Sequence, residues 1–184
     1  MPFSYYARLS AGNKRIYDAS ECIVALQLQA AAELWACVSV LEAALESTQS
    51  AAVRQACQVL ADGLCGQLQA PPVVVKVLAK RPSNSYGELH GLYEGVEGAL
   101  KVAKITLWMR TAQRRQVVAF RSFLRTLLHE LCHHFDYTHF KLADSFHTAG
   151  FYQRESSLFH QLVTDATKAD GAELFPASGG ETVK

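Results

Sequence analysis

The 184-residue sequence lacks any CxxC pair, and its five cysteines (Cys22, Cys37, Cys57, Cys65 and Cys132) are odd in number. Both facts argue against a disulfide framework and a zinc ribbon and fit a reducing compartment. No eighteen apolar residues run without interruption, so no membrane-spanning helix is expected. The segment Met1 to Arg8 lacks the basic and apolar regions of a signal peptide, and a cytoplasmic location without a membrane partner is expected. Neither sign of charge is in excess. Eighteen Lys and Arg face seventeen Asp and Glu, a formal net charge of +1 that gives no global argument for nucleic acid. What the chain does have is apolar material: 49% hydrophobic residues suffice for a buried core and exclude wholesale disorder. The length fits one domain, or one domain with appendages.

From Ser20 to about Leu68 there is no proline, and Ile23, Leu26, Ala30, Leu34, Val38, Leu41 and Leu45 recur at helical spacing. This predicts a long helix, broken or kinked at Ser47–Ser50, and a second one carrying Val53, Cys57 and Leu60 that stops near Gly63–Gly66. After Pro71-Pro72, the β-branched run Val73 to Leu78 predicts a strand. Arg81 to Ser85 is turn material. Tyr86 to Tyr93 reads as a weaker second strand and Lys101 to Trp108 as a third. A helix is expected from near Arg115 to about Tyr137, with an apolar stripe from Val118 to Phe135, and a last one from Thr148 to Thr167. The chain thus divides into an N-terminal helical segment (1–68), an α+β core (69–167) and a tail (168–184) with neither period nor apolar density, expected to be mobile.

Within the helix ending near Tyr137 stands His129-Glu130-Leu131-Cys132-His133, an H-E-x-x-H motif. The i, i+4 spacing puts both imidazoles on one helix face, where they can bind a single Zn²⁺ with Glu130 beside it as a base. Chance supplies roughly 0.02 such motifs per chain of this composition. Six of the seven histidines fall within 32 residues, from His129 to His160. Cys132 points away from the two-His face and reads as a core thiol. His134 is expected to be solvated or to support a ligand.

A catalytic zinc site needs a third protein ligand and an open position. His139, Asp144, His147 and Glu155 are the candidates. His139 follows His133 too closely for the chain to turn back. His147 comes fourteen residues later, after a stretch that can reverse, and is favoured. Glu155, on a common face with His147 and Phe151, remains the alternative; its more ordinary role is to orient an imidazole.

The predicted order of helix, three-stranded sheet, H-E-x-x-H helix and closing helix resembles a minimal zincin metallopeptidase. Within that class the chain looks most like the SprT-like group, through the H-x-x-x-F segment His147-Thr148-Ala149-Gly150-Phe151. The resemblance covers roughly Pro71 to Val163. It implies His129, His133 and His147 as zinc ligands, Glu130 as catalytic base, and Ile105 to Trp108 as the cleft-edge strand that pairs with an extended substrate. The sequence differs from the group in having Thr148 where glycine is common after the third histidine, and in lacking a zinc ribbon.

The function expected is zinc-dependent hydrolysis of peptide bonds in a protein or peptide substrate, with Tyr152, Tyr137 or Arg154 as the oxyanion donor. The alternative is a zincin scaffold that binds zinc or partners without turnover. Between Gly98 and His129 seven cations, Lys101, Lys104, Arg110, Arg114, Arg115, Arg121 and Arg125, stand without an acid. A solvated rim balanced by acids from elsewhere is the expected reading, and a nucleic-acid partner is disfavoured.

Overall fold

Residues 3–84, 87–96 and 101–172 are described in a computed structural model of the chain. A 3-10 turn, Ser4–Arg8, leads to helix α1, Ala11–Cys22, whose start is fixed by Ser10: its side chain accepts a hydrogen bond from the Asn13 N–H. The long helix expected from Ser20 does not form across residues 23–30. There the chain is non-helical, and its polar backbone is satisfied by two distant glutamines. Gln161 accepts from the Leu28 N–H and donates to the Leu26 carbonyl, while Gln67 accepts from the Ala30 N–H and donates to the Ala30 carbonyl. Of the residues at helical spacing here, Leu26 is buried while Ile23 and Ala30 are only partly so.

A 3-10 turn, Ala31–Leu34, then opens helix α2, Trp35–Glu46, and the break at Ser47–Gln49 separates it from helix α3, Ser50–Gln67. That break lies where the polar run predicted it. Helix α3 ends at Gln67, next to the expected stop at Gly63–Gly66; Gly63 lies inside it, and Leu34 packs where a Cβ would stand.

The main sheet has strands β1, Val73–Lys80; β4, Gly91–Glu94; and β5, Ala103–Arg110; the short strands β2, Ser83–Asn84, and β3, Gly87–Glu88, form a separate antiparallel pair. Part of the expected turn is therefore strand β2, and the weak second strand is divided between β3 and β4; Ser85 and Tyr86 lie outside the described residues. The order in the main sheet is β1-β5-β4, with β1 parallel and β4 antiparallel to β5. Strand β5 is central. Ile105 to Trp108 are paired on one side with Val75 to Leu78 and on the other, from Ile105 to Leu107, with Tyr93 to Gly91. Among the described residues Ile105 to Leu107 are paired on both sides, so this stretch is not the edge expected of it, and β4 stands at that edge of the sheet. The opposite edge, β1, is covered by Gln58, which donates to the Val73 carbonyl and accepts from the Val75 N–H.

Helix α4, Phe120–Thr138, starts later than expected, because residues 110–118 first turn back against β5 through the Thr111 N–H to Gln116 and the Val118 N–H to Met109. Helix α5, Ala149–Ala172, begins as predicted and extends into the segment read as tail, whose remaining residues, 173–184, lie outside the described ones. The architecture is α+β: N-terminal helices, a three-stranded mixed sheet, helix α4 with His129 and His133, and the C-terminal helix α5. No helix among the described residues is long and apolar enough to cross a membrane.

Candidate metal centre

Phe123, Leu124, Leu127, Leu128, Leu131 and Phe135 bury one side of α4, which leaves His129 and His133 partly exposed one turn apart on the other. The loop after α4 returns the chain so that His147 meets them. The His147 Nε2 atom lies 3.0 Å from His129 Nε2 and 3.0 Å from His133 Nε2. Among the described residues this is the one His/Cys/Asp/Glu cluster with the geometry to hold a metal ion. Phe151 lies beneath all three rings, with centroids 5.0, 4.7 and 5.1 Å from those of His129, His133 and His147.

The Nδ1 atoms of the two helix imidazoles face oxygen partners. His129 Nδ1 meets Glu155 Oε2 at 3.2 Å, and Glu155 also accepts from Arg125 at 3.2 Å. His133 Nδ1 meets Ser145 Oγ at 2.7 Å. With protons on both Nδ1 atoms, the Nε2 lone pairs point to the common centre, which is the tautomer a metal requires. Tetrahedral Zn–N bonds of about 2.0–2.1 Å set ligand nitrogens roughly 3.3 Å apart, so small ring movements would admit the ion. The three imidazoles therefore fit a first-row metal. Glu155 stands behind His129 rather than in the triad.

Glu130, Gly91, Tyr93 and Tyr137 line the same cavity of about 640 Å³ as the three histidines. Burial pushes the Glu130 carboxyl up to about 7, against the opposing pull of His129 and of the Tyr93 backbone N–H, which it accepts. Gly91 is required here because any Cβ would run into the Glu130 carboxylate. Burial, followed by the neighbouring His129 and His147, drives His133 down to about 3, and burial, followed by His129, lowers His147. Both shifts favour the neutral imidazole of His133 and of His147, the form that offers a lone pair.

The other residues singled out in the sequence fall elsewhere. Arg154 is fully buried and donates to Ser20, Ile23 and Asp136, so it is not an oxyanion donor. Tyr152 stacks on His147, with centroids 5.9 Å apart, whereas Tyr137 lines the cavity and donates to Asp144 at 3.2 Å. His134 is buried, not solvated, and is bonded to the Pro71 carbonyl and the Tyr93 hydroxyl. His139 bonds the Leu68 carbonyl, away from the centre. Cys132 is a fully buried thiol, pushed well above its usual range by that burial. Of the acid-free stretch, Lys104 and Arg125 are paired with Glu94 and Glu155.

Sequence reasoning missed Asp136, Ser145 and Tyr93. Asp136 lies three residues after His133 on the same helix, a spacing that could have drawn notice, but a lone serine in a loop carries no such signal. Thr148, in place of the common glycine, caps α5 by accepting from the Phe151 N–H at 2.9 Å and bonds Ser20 at 3.3 Å. The chain matches no protein-family model, no curated protein and no solved structure. What stands is an α+β protein with a candidate three-histidine metal site.

Proposed function

We propose that the chain is a zinc-dependent peptidase of the zincin type, with His129, His133 and His147 as ligands and Glu130 as general base. The observation that carries this reading is the convergence of three imidazole Nε2 atoms beside a buried carboxyl in one cleft. Three neutral nitrogens leave a fourth position for solvent, the pattern of catalytic rather than structural zinc sites. Bound there, zinc would supply a Lewis acid and lower the pKa of its water toward about 7.

Glu130, held near neutrality by burial, is matched to take a proton from that water and deliver it to the leaving amine. The substrate is a protein or peptide in extended form. It would add as a strand to β4, which among the described residues is paired only with β5 and borders the cleft through Gly91 to Tyr93. Of the oxyanion donors named from the sequence, Tyr137 lines the cavity, and its hydroxyl would exchange its bond to Asp144 for one to the oxyanion.

The test is Glu130→Gln, assayed on a mixed peptide library. The variant should retain one zinc per chain and lose about 10²–10⁴-fold of the hydrolysis rate. Wild-type protein that holds zinc but cleaves nothing would favour a binding module instead.

A further inference from the structure

His129 and His133 are oriented by different devices. Glu155 reaches His129 directly, but among the described residues no carboxylate bonds His133; its Nδ1 meets the Ser145 hydroxyl at 2.7 Å, and that hydroxyl donates at 2.7 Å to Asp136 Oδ2. A serine hydroxyl has one proton. An ionised carboxylate only accepts, so the proton is committed to Asp136 and Oγ can offer His133 nothing but a lone pair. His133 must then carry its own proton on Nδ1, which leaves Nε2 bare toward His147.

The acceptor behind the serine is fixed. Asp136 is fully buried, and its other oxygen accepts from Arg154 at 2.8 Å, itself fully buried. The serine is fixed as well: its backbone N–H donates to Asp144 at 2.8 Å, and Asp144 accepts from Tyr137. Neither end of the pair of bonds can rotate away without leaving a buried polar group unpaired.

We propose that Ser145 is a positioning residue of the metal centre, whose hydroxyl transmits the buried Asp136 carboxylate to His133 and sets that ring's tautomer and direction. This rests on the reading of the three imidazoles as a metal site. Ser145→Ala removes the acceptor of the Nδ1 proton, and Ser145→Thr retains it.

The test compares full-length wild type, Ser145→Ala and Ser145→Thr by zinc competition against a chelator and by the side-chain ¹⁵N shifts of His133 in the zinc-free protein. Ser145→Ala is expected to stay folded with a lowered melting temperature, because buried Asp136 loses a donor, to bind zinc about 10–100-fold more weakly, and to lose the single Nδ1-protonated tautomer. Ser145→Thr should restore zinc affinity and tautomer. Wild-type zinc affinity and an unchanged tautomer in Ser145→Ala would overturn the proposal, as would failure of the folded threonine variant to rescue. If the wild type and His133→Ala bind zinc equally poorly, the metal reading fails by itself, and the tautomer still decides the role of Ser145.

Discussion

Helices α2 and α3 join the rest of the fold mainly through apolar side chains, with Gln58 and Gln67 bonding neighbouring backbone, whereas α1 joins α4 and α5 through buried polar groups. On the first side Val38, Leu41, Leu45, Val53, Cys57, Leu60 and Leu64 are buried. On the second, Arg154 lies between Phe140 and Phe151, 5.6 and 5.5 Å from their centroids, and donates to Asp136, to the Ser20 hydroxyl and to the Ser20 and Ile23 carbonyls. Gly150 sits so tightly on the Ser20 and Glu21 carbonyls that a Cβ would lie 2.5 Å from each. Tyr5 donates to the His147 carbonyl at 2.9 Å. Apolar burial is non-directional and stabilises any packing of the right volume, while hydrogen bonds fix angles. The polar joint lies where angles matter, against the loop and helix that carry His147 and the partners of His133.

Three substitutions separate the two regions by their effect on metal affinity. Arg154→Met should have the largest effect. It leaves Asp136 buried without its cation, costing about 3–5 kcal/mol of stability, and by loosening Ser145 it should weaken zinc binding about tenfold or more. Denaturant unfolding and chelator competition read the two effects, and a folded variant with wild-type affinity would break the link between the joint and the centre. Tyr5→Phe removes one half-exposed hydrogen bond to the His147 backbone; a loss of about 1 kcal/mol, or roughly fivefold in zinc affinity, is expected. Leu60→Met keeps volume and should cost less than about 1.5 kcal/mol, with zinc affinity unchanged. A large affinity loss there would mean that apolar packing also sets the site.

The same contrast explains what could be read from the sequence. The i, i+4 pair and its apolar back face lie within one helix, so local pattern sufficed for His129, Glu130 and His133. His147 followed from the length of chain needed to reverse. The extended segment at residues 23–30 was not legible, because Gln67 and Gln161, which satisfy its backbone, are far away in the chain. Nor was the sheet order: strand patterns do not say which neighbour lies on which side, so nothing local could correct the edge role that the resemblance implied for Ile105 to Trp108, a role β4 has in the sheet. Arg154 stood among the candidate oxyanion donors because nothing local announces a guanidinium buried against Asp136 and Ser20. Polar joints between distant segments are where sequence periodicity is silent.

The central claim, a metal held by three imidazoles, is tested most directly by zinc K-edge absorption on full-length protein loaded with one equivalent of the ion. The account predicts three imidazole nitrogens at about 2.0–2.1 Å and one oxygen from solvent. A sulfur neighbour at about 2.3 Å, or fewer than three imidazoles, would contradict it.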